Sequence, residues 1–207
     1  MKRIKIDNNQ PLEERFDPSD KRQLASGMLL VANPLLTQRG FDHAVILLLD
    51  YGKHGAMGCV LNYSTNIRLA ELLNQVSEER NIPVYMGGPV GMDRLFFLHT
   101  LGPDILSGAH RIADGLWVGG DYDAAIDYVN ADYEREGLLR FFLGYAGWDS
   151  GQLEDEIDEG TWAILPLPME VPELLSGEGD AVWYRAVRDL GPQYRKWQLY
   201  PRNVHMN

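Results

Sequence analysis

Residues 138–153 read LLRFFLGYAGWDSGQL, and the prediction of the fold starts from this stretch. The run from Leu138 is mostly apolar, which is typical of a buried strand, here predicted over 138–145. Three glycines, at 144, 147 and 151, then bracket the large aromatic residues Tyr145 and Trp148. An ordered glycine loses more backbone entropy than any other residue, so this density of glycine is costly in a plain loop. The stretch therefore indicates a surface feature that holds aromatic side chains in place.

Other apolar runs predict the rest of a β-sheet. We expect strands at 28–32, 44–49, 57–61, 84–86, 95–100, 116–118 and 162–166. The segment YGKHG, residues 51–55, is a short glycine-containing loop between two of these strands, which predicts a β-hairpin.

Four helices are predicted from capping residues and periodic apolar positions. Thr65 would cap a helix over 66–80, Asp121 one over 122–136, Ser150 one ending at Asp158, and Asp180 one ending before Gly191. Hairpins mixed with crossover helices favour an α+β fold over a regular α/β repeat.

The length of 207 residues suits one domain. Residues 1–23 are polar and contain Pro11 and Pro18, which predicts an N-terminal polar arm. We therefore expect one folded domain over 24–197 and a C-terminal tail over 198–207.

The composition limits the classes of partner. A formal net charge of −11 disfavours attraction to a phosphate backbone, so direct nucleic-acid binding is not expected. The first 26 residues lack the apolar core of a secretory signal, and no apolar run approaches the ~20 residues that span a bilayer. One cysteine, Cys59, fits a reducing compartment. A cytoplasmic protein without membrane contact is predicted.

A second glycine-rich feature, MGGPV at residues 86–90, follows a predicted strand. Its backbone N–H groups could cradle an anion, although a purely structural turn explains the pattern as well. Arg94 and His99 lie just downstream. A histidine in an apolar strand is either a hydrogen-bonded core residue or a catalytic group, and Trp148 is either packed or an exposed binding anchor.

Spacing motifs for catalysis and metal binding are missing from the sequence. The five histidines include no pair at i, i+4, and with one cysteine a zinc site is not expected. Gly-x-Ser-x-Gly does not occur, and Cys59 within its strand is predicted to be an inert buried thiol. No metal and no cofactor are predicted.

Four segments in this order resemble the YqgE/AlgH family: GMLLVANP at 27–34, GAMG at 55–58 with Asn62, GGPV at 87–90 with Arg94 and His99, and GYAGW at 144–148 with GQLE at 151–154. The resemblance covers residues 24–197. It implies a small bacterial cytoplasmic protein with an α+β fold, in which flanking helices surround a curved, mostly antiparallel β-sheet. One branch of the family carries a transcriptional-regulator label. The chain departs from the family pattern at Tyr51, where a histidine is usual, and after Asn62.

Two functions remain open from the sequence. The first is a non-enzymatic binding or regulatory protein with an unknown protein or small-molecule partner. The second is a small hydrolase or transferase that uses His99 and Arg94. The candidate binding residues are Gly87, Gly88, Pro89, Arg94, His99, Tyr145, Gly147, Trp148 and Gln152.

Overall fold

The computed structural model describes residues 17–36, 38, 40–131, 133, 136–167 and 171–202. Its strands are β1 Leu29–Ala32, β2 Val45–Gly52, β3 Gly55–Val60, β4 Ser64–Arg68, β5 Pro83–Met86, β6 Val90–His99, β7 His110–Ala113, β8 Leu116–Val118, β9 Leu139–Trp148 and β10 Trp162–Leu165. Its α-helices are α1 Leu69–Leu72, α2 Tyr122–Asn130, α3 Gln152–Asp158, α4 Val171–Ser176 and α5 Gly179–Asp189.

The strands form one sheet in the order β10-β1-β2-β3-β9-β6-β8-β7, with β4 paired to β5 and β5 paired to β9. Every pair is antiparallel except β5 with β9. The predicted α+β class and the mostly antiparallel sheet with flanking helices are confirmed.

Strand β9 joins the two halves of this sheet. Its first residues lie between β5 and β6, where Phe142 pairs with Tyr85 on one side and Phe96 on the other. Its last residues pair with β3, with Trp148 opposite Ala56. The strand is therefore longer than predicted, and Trp148 belongs to it rather than to the loop that follows.

Both faces of the β1–β2 region are covered, which explains its unbroken apolar runs. Helix α5 inserts Trp183 on one face, in a cluster with Leu29 and Leu47. Leu30 and Leu48 point to the opposite face, where they pack in the cluster of Trp148 and α3. The predicted hairpin between β2 and β3 is confirmed, with Gly52 paired to Gly55.

The helix predicted over 66–80 is wrong. Residues 64–68 form strand β4, in which exposed and half-buried residues alternate. Within the predicted range only Leu69–Leu72 is α-helical, and Glu78–Arg80 forms a single 3-10 turn. The Thr65 hydroxyl donates to the Val84 carbonyl and accepts from the Ile67 amide, so it fastens β4 to β5 instead of capping a helix. Strand pairing satisfies the backbone groups that a helix would have satisfied internally.

Two predicted caps are also wrong. Ser150 donates to the Lys53 carbonyl, and α3 starts from Gly151 with φ +83°. Asp180 lies inside α5 and pairs with Arg202. Asp121 does cap α2, by accepting from the Ala124 amide, although that helix ends at Asn130 instead of 136.

Strand β7 and helix α4 have no counterpart in the sequence prediction.

The described part of the N-terminal arm, residues 17–23, lies against strand β10. The Pro18 carbonyl accepts from the Ile164 amide at 2.8 Å, and Lys21 pairs with Asp158. Residues 1–16 of the arm and 203–207 of the tail lie outside the described residues. Within the described chain, no helix combines the length and apolarity needed to cross a membrane.

Candidate functional site

The Gly87–Gly88 loop is a place where two backbones cross at close range. The Gly87 amide donates to the Leu143 carbonyl, and its own carbonyl accepts from Val60, both at 2.8 Å. A Cβ on Gly87 would overlap the Gly144 carbonyl, and one on Gly88 would overlap the Tyr145 backbone. The Gly87 N–H group is already hydrogen-bonded within the protein, and Pro89 has no N–H group. The geometry therefore supports a structural turn and does not support a loop that binds an anion through its backbone N–H groups.

An apolar surface, here called the Tyr145 strip, lies beside this crossing and consists of Met57, Val90, Met92 and Tyr145. Val90 pairs with Tyr145, and Met57 pairs with Gly147. Met57, Val90 and Met92 are 38%, 41% and 43% exposed, and Tyr145 is half-buried. Paired residues of adjacent strands project to the same face, so Val90 lies beside Tyr145, and Met57 lies beside Gly147, two residues further along β9. Met92 is not paired, and its sulfur lies near Gly144.

Glycines give the strip its shape. The Tyr145 ring lies 3.4 Å from the position that a Cβ of Gly147 would take. The Met92 sulfur lies 3.0 Å from the corresponding position at Gly144. A side chain at Gly144 would therefore overlap the Gly88 carbonyl oxygen and press on the Met92 thioether, whereas one at Gly147 would be in ordinary contact with the aromatic ring.

Arg94 forms one edge of the strip. Residues 91–94 of β6 lie between two paired positions, Val90 and Leu95, that are separated on β9 by Gly144 alone, so this segment bulges outward. A Cβ on Gly91 would be 3.3 Å from the Arg94 Cδ atom and 3.2 Å from the Tyr145 ring. The structure thus brings together six of the nine candidate residues: Gly87, Gly88, Pro89, Arg94, Tyr145 and Gly147.

His99 is not part of this surface. It lies five residues beyond Arg94 in β6, roughly 16 Å along the strand, and is fully buried. Its Nε2 atom is 2.9 Å from the Gly119 carbonyl oxygen, and burial lowers the pKa of the ring. The structure places His99 in the core and does not support a catalytic pair with Arg94.

Trp148 and Gln152 belong to a local network at the start of α3. Trp148 is 7% exposed, and its indole nitrogen donates to Glu156 at 2.8 Å. The Gln152 side chain accepts from the Asp149 amide and donates to Glu156. Trp148 is therefore packed, and its interpretation as an exposed binding anchor is wrong, because the indole is enclosed with Trp162 in the core.

The structure contains a cluster around His43 that was not predicted from the sequence, where this histidine is one of five without metal-binding spacing. His43 has φ +57°, an uncommon conformation for a residue with a side chain, and it is fully buried with its ring stacked on Trp183 at 3.8 Å. Among the described residues, neither ring nitrogen has a hydrogen-bond partner. The only signal in the sequence is the Asp-His pair just before β2.

Charged side chains lie around this histidine, but none of the described ones forms a hydrogen bond with its ring nitrogens. The Asp180 carboxylate lies 3.8 Å from His43 Nδ1. Arg202 bridges Asp180 at 3.3 Å and Asp42 at 3.7 Å, and it lies over the Tyr63 ring. Burial lowers the pKa of His43 and outweighs the opposite effect of the Asp180 and Asp42 carboxylates, and the Arg202 charge lowers the pKa further. No set of three His, Cys, Asp or Glu residues in the described chain is arranged to hold a metal ion.

The fold and the exposed strip together define a small α+β protein with a mostly antiparallel sheet and an apolar surface at the centre of that sheet. The sequence profile of the AlgH-like family matches residues 29–195, so the chain belongs to this family.

Relatives and solved structures agree with this assignment. A UPF0301 protein from Parabacteroides distasonis is 38% identical over 181 residues, which is 87% of this chain and 90% of the relative. The solution structure of the AlgH protein from Pseudomonas aeruginosa has a TM-score of 0.67 at 27% identity, covering 87% of this chain and 95% of that one. A crystal structure of a protein from Corynebacterium diphtheriae shares the fold with a TM-score of 0.68 at 22% identity, covering 91% of this chain and 96% of that one. These names state neither an activity nor a ligand.

Proposed function

We propose that this protein is a non-enzymatic binding protein that docks a partner protein through the Tyr145 strip. The observation that carries the proposal is the group of Met57, Val90, Met92 and Tyr145, large apolar side chains on neighbouring strands, of which three are exposed and Tyr145 is half-buried. A contiguous apolar patch of this kind, rimmed by polar residues, is typical of an interaction surface.

The residue types suit a protein partner. Tyrosine contributes a large contact area with few rotatable bonds, which is why it is frequent among residues that dominate binding energy. Methionine is flexible and polarizable, and it adapts to the shape of an apolar partner surface. Asp93 and Arg94, both exposed at one edge, would supply charged contacts at the rim.

Regulation through protein contact fits the charge of the chain. The net charge of −11 disfavours direct DNA binding, so a regulatory role would act through another protein. A cytoplasmic site of action is part of the same proposal, because the single cysteine, Cys59, is a buried free thiol.

Affinity capture from the native cytoplasm tests the proposal. Wild type is compared with Tyr145→Ser/Met92→Ser and with Ile105→Ser, a control that removes another exposed apolar side chain in the turn after β6. We expect a partner that binds wild type and the control equally, and the double variant about 30-fold more weakly, which corresponds to about 2 kcal/mol. Equal binding by all three proteins would overturn the proposal.

A further inference from the structure

Arg140 carries a charge into the interior of the protein. The residue lies near the start of β9 and is 5% exposed. Its Nη1 atom donates to the carbonyls of Leu61 and Gly177 at 3.0 and 2.8 Å, and its guanidinium stacks on the Tyr85 ring at 3.8 Å. An arginine side chain stays protonated in a folded protein, so this charge is present at neutral pH.

The charge has no ion-pair partner among the described residues. No described carboxylate lies within 4.0 Å of the guanidinium. Among the described residues, hydrogen bonds of the guanidinium are made by Nη1. A buried charge is costly unless it is compensated. Here the compensation comes from two carbonyl groups, the Tyr85 ring and, at longer range, the Glu178 and Glu136 carboxylates.

Arg140 forms part of the wall of a groove. The groove has a volume of about 610 Å³, within the range of small-molecule sites. Its charged and polar lining includes Arg80, Tyr85, Glu136, Arg140, Ser176 and Glu178.

The lining defines the chemistry of a ligand. The charges of the described lining residues balance, with two arginines and two glutamates, which disfavours a dianion but permits a monoanion beside Arg140. Tyr85 donates to Glu178, and burial together with this bond raises the pKa of Tyr85 to about 12, so the hydroxyl remains a donor. The Glu136 carboxylate and the second oxygen of Glu178 remain available as acceptors for donor groups on a ligand.

We propose that this groove binds a small carboxylate that carries hydrogen-bond donors of its own, such as a hydroxy acid or an amino acid. The ligand carboxylate would lie at Arg140, where a guanidinium can bind it through two parallel hydrogen bonds. Its hydroxyl or ammonium group would face Glu136 and Glu178. The groove is a separate site from the Tyr145 strip. Arg140 and Tyr145 are five residues apart in β9, and the strand conformation is interrupted between them at Gly144, where φ is +66°.

NMR titration of the full chain tests the proposal directly. The probes are acetate, glycolate, glycine and inorganic phosphate, each at constant ionic strength against sodium chloride, and the observed signal is the Arg140 Nε–H resonance. We expect acetate to shift this resonance saturably, with a dissociation constant on the order of millimolar, and glycolate or glycine to bind at least about tenfold more tightly.

Variants separate ligand binding from a structural role. Arg140→Lys keeps the charge and loses the paired donors, so a folded variant should bind the best probe at least about tenfold more weakly. Because this variant has no Nε–H group, its titration is followed through the backbone amide resonances of Tyr85 and Gly177. Arg80→Gln leaves Arg140 in place and should also weaken binding. Arg111→Gln, which removes an exposed arginine paired with Asp114 on β7, should change nothing.

Three results would overturn the proposal. The first is no saturable shift with any carboxylate up to about 100 mM, which would make Arg140 a purely structural residue. The second is tighter binding of phosphate than of every carboxylate. The third is unchanged binding by both Arg140→Lys and Arg80→Gln.

Discussion

At the scale of single residues, burial separates the candidates that the sequence grouped together. Tyr145 and Arg94 lie at an accessible surface, whereas Trp148 and His99 are enclosed. Their sequence surroundings differ little, because each lies in or beside an apolar strand. Which side of the sheet a strand residue faces, and what covers that side, depends on neighbours that are distant in the chain.

Trp148→Ala should destabilise the protein by roughly 3–5 kcal/mol, because it empties a core position and removes the donor to Glu156. Urea denaturation measures this loss. Trp148→Phe should recover part of it, and Tyr145→Ala, at the surface, should cost much less. A Trp148→Ala protein as stable as wild type would show that the indole is not part of the core.

Stability should fall as the pH decreases below about 6.5, the ordinary pKa of histidine. Burial lowers the pKa of His43 and His99 in the folded state, so the unfolded chain binds more protons than the folded one in this range. The loss begins near pH 6.5 and continues down to the folded-state values.

Urea denaturation at pH 7.5 and pH 5.5 measures the effect. His43→Asn should reduce the difference between the two pH values, and asparagine tolerates the φ of +57° at this position. His110→Asn, which replaces an exposed histidine on β7, should keep the wild-type difference. A His43→Asn protein with the full wild-type difference would assign the pH dependence to other groups.

At the scale of elements, β9 and the Gly87–Gly88 loop determine how the two halves of the sheet meet. The GYAGW motif indicates glycine-dependent geometry, and the structure gives its reason: backbone atoms of 87–88 and 144–145 are in direct contact. The prediction of a helix over 66–80, which also concerns a single element, is wrong. Thr65 has the local chemistry of a cap, but β4 instead pairs with β5 at Ser64 and Arg68, and the Thr65 hydroxyl donates to the Val84 carbonyl.

Gly88→Ala should destabilise the protein by more than about 3 kcal/mol or prevent folding, because the added Cβ would overlap the Tyr145 backbone. Gly108→Ala is the matched control, since Gly108 also has a positive φ, +76°, but has nothing within 4 Å of an added Cβ. The control should lose only about 1–2 kcal/mol. Similar losses in thermal denaturation would mean that backbone conformation, not the close contact, explains the effect.

At the scale of the whole molecule, the chain forms one sheet whose edge strand β10 is covered by residues 17–23. The predicted polar arm therefore has a described portion that contributes a backbone hydrogen bond to the sheet. Covering an exposed edge strand satisfies its backbone groups and blocks pairing with other chains.

A protein that starts at Leu24 should lose about 1 kcal/mol relative to one that starts at Asp17, and it should still unfold cooperatively. The loss follows from the missing bond between Pro18 and Ile164 and the missing pair of Lys21 with Asp158. Thermal denaturation with light scattering measures both stability and association. Loss of cooperative unfolding in the shorter protein would show that the arm is an integral part of the core.

The sequence by itself determined the α+β class, most strands, the β2–β3 hairpin and the family, because apolar periodicity and short glycine motifs are local properties of the chain. It also grouped Gly87, Gly88, Arg94 and Tyr145, which the structure brings together, although the two glycines are buried. Only the tertiary structure decided that Trp148 and His99 are core residues, that Ser64–Arg68 is a strand, and that His43 and Arg140 are buried. Each of these outcomes depends on contacts between segments far apart in sequence, such as Arg140 with Gly177 and His43 with Trp183, and local patterns do not encode such contacts.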